Sequence, residues 1–198
     1  MRRPQAGWSG AMTRHLISAV AVVMVGGAAT THAAVTPIPP DQYPQGCKPD
    51  GRALQGDAAD DAIRGTNRRD LLRGGGGDDS LAGHRKADCL FGQPGADAIV
   101  GTGGADAIKG GRGDDVIVGG EGTDAIKGGR GDDMLRGVLR ADVIDGGKGD
   151  DHLGGYNGND RIRDLHGRNR ISCGRGIDRV VTNKQSKVAK NCENIARR

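Results

Sequence analysis

Residues 110–136 read GGRGDDVIV GGEGTDAIK GGRGDDMLR, which is one nine-residue pattern repeated three times. Each copy runs Gly, Gly, any residue, Gly, any residue, Asp, any residue, aliphatic, any residue. The same frame continues without an insertion from residue 56 to residue 181, which makes 14 units. A fixed short period of this kind determines the architecture of a chain more strongly than any other sequence feature.

Two positions of the nonapeptide hold nearly the same type of residue in every unit. The eighth position is aliphatic in all 14 units, and the sixth is Asp in 13 of them, with Asn169 as the exception. The aspartates are Asp61, Asp70, Asp79, Asp88, Asp97, Asp106, Asp115, Asp124, Asp133, Asp142, Asp151, Asp160 and Asp178. A period of nine fits neither an amphipathic α-helix nor a heptad coiled coil. The pattern therefore indicates a solenoid of short repeats.

Each unit predicts a tight turn followed by a small strand. Glycine at positions one, two and four favours backbone that takes a positive φ or passes close to another group. The triplet around position eight, such as residues 116–118, is long enough for one short strand whose middle side chain faces inward. Two units then make one coil, and coils stack at about 4.8 Å in parallel strands. The sequence predicts an all-β fold, a right-handed parallel β-roll of about seven coils.

The turns combine glycines and carboxylates in a way that favours calcium. Main-chain carbonyls can point into the gap between stacked turns, since the glycines carry no side chain there. The position-six carboxylates line the same gap. Ca²⁺ takes six to eight oxygen ligands at roughly 2.3–2.6 Å, and carbonyls together with Asp supply them. We therefore expect several calcium ions between the turns.

The repeat resembles the RTX, or hemolysin-type, calcium-binding nonapeptide family. The units at residues 74–82, 110–118, 119–127, 128–136 and 146–154 match every specified position of that pattern. The resemblance covers residues 56–181 and implies a secreted calcium-binding β-roll.

Alternate units lie on the same side of the roll, so each side has its own series of turns. On one side, five consecutive turns keep Gly at positions one and four and Asp at position six. The expected metal ligands on this side are the carboxylates of Asp79, Asp97, Asp115, Asp133 and Asp151 and the backbone of Gly75, Gly77, Gly111, Gly113, Gly129, Gly131, Gly147 and Gly149.

The other side is less regular, because position four is Arg68, Lys86 or Arg140 in three of its turns. We expect these bases to replace the ion by pairing with a neighbouring Asp. Calcium on this side is then expected near Asp106 and Asp124, with a further possible site at Asp160 and Asp178.

Calcium binding and folding are predicted to be one event. One aliphatic side chain per nine residues gives a thin core, and stacked carboxylates repel one another until a cation neutralises them. The alternative is a glycine-rich solenoid that needs no ion. Neutral residues would serve that alternative better than 13 aspartates.

The two ends lie outside the repeat. Residues 1–33 have a basic start and a 14-residue apolar run, and they predict a cleaved signal peptide, with an uncleaved membrane anchor as the alternative. This differs from many RTX proteins, which resemble one another in having a C-terminal export signal. Residues 34–55 are predicted to be an extended lead-in that covers the first coil, and residues 182–198 a C-terminal cap.

The four cysteines suit an exported protein and allow three pairings. We expect Cys173 to pair with Cys192, because that bridge ties the last repeat to its cap. Cys89, expected to lie outside the strand, could then pair with Cys47 of the lead-in. Free thiols or intermolecular bridges are the alternative.

Composition and motifs argue against several other functions. Removal of the three arginines of residues 1–33 lowers the formal net charge from +4 to +1, and only three aromatic residues remain, which gives no platform for nucleic acid. No GxSxG or HExxH motif occurs, and repeated Asp pairs lack the one distinct environment that a catalytic pair needs. We predict a non-enzymatic, extracellular structural or cell-surface module. A partner- or glycan-binding module displayed on the roll is the alternative.

Overall fold

The computed structural model describes residues 35–198, and in that part of the chain the polypeptide winds into a parallel β-solenoid of about eight turns. The predicted signal peptide lies outside the described residues. Within residues 35–198 no helix is long and apolar enough to cross a membrane.

The strands form two sheets that face each other across a thin core. Sheet 1 contains, in spatial order, β1 (Thr36–Pro37), β2 (Ala53–Gln55), β4 (Leu71–Arg73), β6 (Cys89–Pro94), β8 (Ala107–Arg112), β10 (Ala125–Arg130), β12 (Val143–Lys148), β14 (Arg161–Asp164), β16 (Arg179–Thr182) and β18 (Asn194–Arg197). Sheet 2 contains β3 (Ala62–Arg64), β5 (Ser80–Arg85), β7 (Ala98–Gly103), β9 (Val116–Glu121), β11 (Met134–Leu139), β13 (His152–Asn157), β15 (Arg170–Arg175) and β17 (Lys187–Val188).

The register follows directly from the nonapeptide. Ile126 of β10 pairs with Ile108 of β8 on one side and Ile144 of β12 on the other, so equivalent residues 18 apart stand side by side. Within residues 35–198 the pairings along the solenoid are parallel, except that β1 runs antiparallel to its neighbour β2. Two nonapeptides therefore make one coil, as the sequence predicts.

The position-eight side chains form the core. They stack in one continuous cluster, and each is at most 3 % exposed. The members are Ile63, Leu72, Leu81, Leu90, Ile99, Ile108, Ile117, Ile126, Leu135, Ile144, Leu153, Ile162, Ile171 and Val180. Since every coil contributes two of them, the core is two side chains wide and continues along the whole roll.

Most strands are longer than the sequence suggests. The central ones span six residues, because positions two and three of the following unit also pair with the next coil. Gly129 and Arg130, for example, pair with Gly111 and Arg112. The expectation of three-residue strands was wrong because glycine, lacking a side chain, was interpreted only as a turn residue.

The two ends extend the roll beyond the repeat. The lead-in adds β1 and β2, with a short 3-10 turn at Pro40–Gln42, and residues 182–198 add β17 and β18. Ile38 and Cys47 of the lead-in pack with Leu71 and Cys89 on the outer side of sheet 1. The coil count is thus about eight rather than about seven.

Candidate metal sites in the turns

The turns lie along two edges of the roll, and each edge carries one position-six residue per coil. The first edge, which leads from sheet 1 into sheet 2, holds Asp61, Asp79, Asp97, Asp115, Asp133, Asp151 and Asn169. The second edge, which leads back, holds Asp70, Asp88, Asp106, Asp124, Asp142, Asp160 and Asp178. All 14 side chains are at most 3 % exposed. The carboxylates are therefore interior groups although they belong to turns.

In every ladder carboxylate except Asp61, which accepts only from Asp57 of its own turn, one oxygen links the turn to the preceding coil. The backbone N–H of Asp97 donates to Oδ1 of Asp115 at 2.9 Å, and the N–H of Asp115 donates to Oδ1 of Asp133 at 2.9 Å. The same bond repeats along the second edge, for example from Asp106 to Asp124 at 2.9 Å. Each edge is thus a continuous ladder of carboxylates and backbone amides.

The other carboxylate oxygen has no hydrogen-bond partner. Buried, unpartnered oxygens occur on Asp61, Asp79, Asp88, Asp97, Asp106, Asp115, Asp124, Asp133, Asp142, Asp151, Asp160 and Asp178. The exception, Asp70, lies in the first coil, where the N–H and the hydroxyl of Thr66 donate to it. A buried acceptor without a partner costs about 1–3 kcal/mol, and more when it is charged. A cation bound along this column would supply the missing partner for these oxygens.

Asn169 shows what occupies this place when the residue is neutral. Its Oδ1 accepts the backbone N–H of Asp151 at 2.9 Å, which continues the ladder. Its Nδ2 donates to the carbonyl of His166, at position three of the same turn, at 2.7 Å. In the Asp turns an acceptor oxygen replaces this donor. The amide that satisfies the site in Asn169 is thus missing wherever the residue is Asp.

Position-one glycines make room for the unpartnered oxygen. A Cβ on Gly110 would overlap Oδ2 of Asp115 in its own turn. A Cβ on Gly128 would overlap both Oδ2 of Asp133 and the carbonyl oxygen of Gly146 in the next turn. Carboxylate and carbonyl oxygens from adjacent turns thus converge beside the same glycine.

The eight glycines expected as backbone ligands all have positive φ, between 93° and 144°. A Cβ on Gly131 would overlap the carbonyl oxygen of Gly113, so that carbonyl points along the roll axis toward the next turn. Oxygen ligands from stacked turns are what Ca²⁺ requires. Among residues 35–198 no three His, Cys, Asp or Glu side chains form a metal cluster by themselves. Any ion in these turns must therefore rely on main-chain oxygens as well as carboxylates.

Burial raises the pKa of ten ladder carboxyls in the absence of an ion, namely Asp79, Asp88, Asp97, Asp106, Asp115, Asp124, Asp133, Asp142, Asp151 and Asp160. Desolvation is the largest cause, and it raises the pKa of Asp115 to about 8 and the pKa of Asp133 to about 7. On the second edge it raises the pKa of Asp106 to about 7. Repulsion between successive carboxylates acts in the same direction, and hydrogen bonds from the backbone oppose it. Near neutral pH the ion-free turns thus hold protons where a cation could bind.

The bases at position four do not act as counter-charges, contrary to expectation. Arg68, Lys86 and Arg140 are exposed. Ion pairs within residues 35–198 join Arg69 to Asp50, Arg163 to Asp145 and Arg168 to Asp150, and none joins a position-four base to a ladder carboxylate. The reason is geometric, because the carboxylates are inside the coil and these bases extend into solvent.

The turns at Lys86 and Arg140 also keep the backbone of the regular turns, with φ of 76° and 74°. The second edge carries the same buried, unpartnered oxygens at Asp88 and Asp142 as elsewhere. Sequence reasoning did not include these two carboxylates. Their place at position six of the nonapeptide could have identified them as metal ligands. They were left out because Lys86 and Arg140 stand at position four of the same turns.

Both expected disulfides are present. Cys173 is bonded to Cys192 and Cys47 to Cys89, and the described residues contain no free cysteine. Cys89 is the first residue of β6 and is buried, so the expectation that it lies outside the strand was wrong. The bridges attach the lead-in to the third strand of the parallel stack and the C-terminal segment to the last full repeat.

The fold and the turns define a calcium-binding β-roll. Four copies of the RTX calcium-binding nonapeptide repeat match the chain, at residues 55–88, 91–126, 100–135 and 127–162. Together they span just over half of the 198 residues, and the chain belongs to this family. Neither the curated proteins nor the solved structures contain a match. RTX nonapeptide repeats bind Ca²⁺ in a structural fold, and calcium is the ligand that the family supports here.

Proposed function

We propose that the chain is a secreted, extracellular protein that folds on binding several calcium ions and serves as a structural or cell-surface module without catalytic activity. The observation that carries the proposal is the column of buried carboxylate oxygens without a partner. Each is neutralised when Ca²⁺ takes the place of the missing donor. Extracellular calcium sites have dissociation constants of about 10⁻⁴–10⁻³ M, so such sites fill only after export.

The proposed ligands are the carboxylates and carbonyls of adjacent turns. On the first edge they are Asp79, Asp97, Asp115, Asp133 and Asp151, with the backbone of the glycines at positions two and four. On the second edge Asp106 and Asp124 belong to turns without a base at position four. Similar unpartnered oxygens on both edges support sites on each, and the number of ions is a question for measurement.

A calcium titration followed by circular dichroism tests this proposal, with magnesium as the control. We expect a cooperative change from coil to β-structure at sub-millimolar to millimolar Ca²⁺ and none with Mg²⁺. Magnesium demands octahedral geometry and gives up its water reluctantly, so carbonyl-rich turns suit it poorly. A chain that is fully folded in EDTA at neutral pH would contradict coupled folding.

A second candidate function, display of a binding surface, is favoured by the outer face of sheet 1. This face has a groove of about 720 Å³, whose floor includes Gly111 and Gly129. Six exposed bases line it. Arg163 is paired with Asp145, and the other five are Lys109, Arg112, Lys127, Arg130 and Lys148. We call this feature the basic groove.

The bases of the basic groove stand opposite one another in the sheet. Lys109 pairs in register with Lys127, whose neighbour on the other side is Asp145, and Arg130 pairs with both Arg112 and Lys148. Like charges directly opposite each other destabilise a sheet, and no ion pair between described residues engages these five side chains. Sheet 2 has Val100 and Val118 at the positions equivalent to the lysines. The fold therefore does not require this row of charge, whereas an extended polyanion would be bound by it.

An anionic polysaccharide is the partner that this groove fits best. From β6 to β14 the groove crosses four strand spacings, or roughly 19 Å, enough for several charged units of a linear chain. Single-stranded nucleic acid is bound on rows of aromatic side chains, and Phe91 is the only aromatic residue that lines the groove within the described part of the chain.

Binding to an immobilised polyuronate in calcium, with a neutral glucan and an oligonucleotide as comparisons, tests this second function. We expect Lys109→Glu with Lys127→Glu to abolish retention on the polyuronate. The matched pair Arg136→Glu with Lys190→Glu, exposed bases outside the groove, should retain it. Equal loss in both double variants would indicate a general charge effect, and preference for the oligonucleotide would contradict the assignment.

A further inference from the structure

The turn at residues 164–169 reads DLHGRN and reverses the usual arrangement of the nonapeptide. Position six, elsewhere Asp, is Asn169, and position one, elsewhere on this edge Gly, is Asp164. The turn lies at the C-terminal end of the first edge, after the last regular turn of residues 146–151. This turn thus keeps one buried carboxylate, but at position one instead of position six.

Asp164 is placed where a regular turn presents a backbone carbonyl. A Cβ on Gly128 would overlap its own turn's carboxylate and the carbonyl oxygen of Gly146 in the next turn. A Cβ on Gly146 would instead overlap Oδ2 of Asp151 and Oδ2 of Asp164. The side chain of Asp164 therefore occupies the position of the position-one carbonyl. Two carboxylates converge beside Gly146, where other turns bring one carboxylate and one carbonyl.

Both converging oxygens lack a partner. Asp151 and Asp164 are 0 % exposed, and Oδ2 of each has no hydrogen-bond partner. Oδ1 of Asp164 accepts the backbone N–H of His166 at 3.3 Å, and Oδ1 of Asp151 accepts the N–H of Asp133 at 2.8 Å. Each carboxylate thus has one oxygen fixed by the backbone and one directed at the other carboxylate.

The surrounding polar groups are engaged elsewhere. Nδ2 of Asn169 donates to the carbonyl of His166, and Nδ1 of His166 contacts the carbonyl of Gly147 at 3.0 Å. Arg168 pairs with Asp150 at 3.1 Å. Within the described residues no base pairs with Asp151 or Asp164. Apart from a proton shared between the two carboxyls, the described residues therefore supply no positive charge that offsets their close approach.

We propose that Asp151 and Asp164 together bind one further divalent cation, of the Ca²⁺ class, between the turns of residues 146–151 and 164–169. This inference rests on the proposed calcium function and extends it to a turn that departs from the repeat. Hard oxygen ligands and double negative charge favour Ca²⁺ over softer metals. The site would be the last on the first edge, in the turn where Asn169 replaces the position-six Asp.

Counting bound calcium in the full chain tests the proposal. After equilibrium dialysis against excess Ca²⁺, elemental analysis should give one ion fewer for Asp164→Asn than for the wild type. The control Asp145→Asn, an acid on the face of sheet 1 that pairs with exposed Arg163, should keep the full number. An unchanged count in a folded Asp164→Asn variant would overturn the inference.

Anomalous scattering from crystals of the calcium-loaded wild type decides the matter even if the variant fails to fold. A peak between the carboxylates of Asp151 and Asp164 is expected. Peaks in the regular turns without one at this place would overturn the inference, since the carboxylates would then share only a proton. Absence of calcium from every turn would instead refute the proposed function itself.

Discussion

Replacement of Asp115 by Asn should have opposite effects with and without calcium. Asp115 lies in the middle of the first edge, between the turns of Asp97 and Asp133. In the proposed function its carboxylate would therefore contact an ion on either side. Asn keeps the Oδ1 that accepts the N–H of Asp97 but loses the charge. The ladder therefore survives the substitution, and only the cation sites are weakened.

The magnitude follows from the linkage between binding and folding. A site with a dissociation constant of about 10⁻⁴–10⁻³ M stabilises the folded state by about 1.4–2.7 kcal/mol in 10 mM calcium. Loss of two sites should therefore lower the free energy of unfolding by about 3–5 kcal/mol. In EDTA the variant should be more stable than the wild type by about 1–3 kcal/mol. The reason is that an amide at this position can donate to a carbonyl of its own turn, as Nδ2 of Asn169 donates to the carbonyl of His166.

Denaturant unfolding followed by circular dichroism, in 10 mM calcium and in EDTA, measures both effects. The control is Asp114→Asn, since Asp114 is exposed and its Oδ1 accepts the N–H of Asp132, which Asn can also do. We expect the control to change stability little in either condition. Equal destabilisation of Asp115→Asn with and without calcium would refute the reasoning, because the carboxylate would then be a purely structural group.

Three further predictions concern pH, backbone strain and the C-terminal bridge. Burial raises the pKa of Asp115 to about 8 and that of Asp133 to about 7, above the ordinary 3.8, so the ion-free roll should be most stable below pH 3.8 and lose that stability as the pH rises toward 8. Circular dichroism in EDTA should show β-structure increasing on acidification, whereas the calcium midpoint should move to higher concentration; β-structure that decreases with acid in EDTA would contradict the assignment. Val138 has a φ of 101°, so Val138→Gly should raise stability in calcium by about 1 kcal/mol in thermal unfolding, and Val138→Ala should not. Paired Ser substitution of Cys173 and Cys192 should lower the free energy of unfolding by about 3 kcal/mol relative to the oxidised wild type. Under reducing conditions, which also open the Cys47–Cys89 bridge, the variant and the wild type should unfold with the same free energy.

The period of nine made most of the fold predictable. Position eight is aliphatic in every unit, and its side chains form the observed core. The alternation of turns between two edges followed from two units per coil, which the offset of 18 residues between paired strands confirms. Where a property repeats with the unit, sequence and structure agree.

What escaped prediction depends on single departures from the unit or on long-range contacts. The position of Asp164 beside Asp151 was not predicted, because a side chain that substitutes for a backbone carbonyl leaves no periodic signal. The role of Glu193 was equally hidden. Its carboxylate accepts the N–H of Asp178 at 2.9 Å, and only the chain path after Cys192 brings it there. Arg140 was expected to pair with a neighbouring Asp. That expectation failed because the ladder carboxylates are buried inside the coil and Arg140 is exposed.

The hydrogen-bond ladders give the roll an order of assembly. Each turn donates its backbone N–H to a carboxylate that belongs to the coil after it in sequence, as from Asp142 to Asp160. A coil can therefore complete its turns only on a successor that is already in place. At the C-terminal end Glu193 supplies the missing acceptor for Asp178, held beside the disulfide of Cys192. The C-terminal end can therefore serve as the template for the coils before it. If the chain is exported amino terminus first, as proposed, its roll could close only after the last residues have emerged.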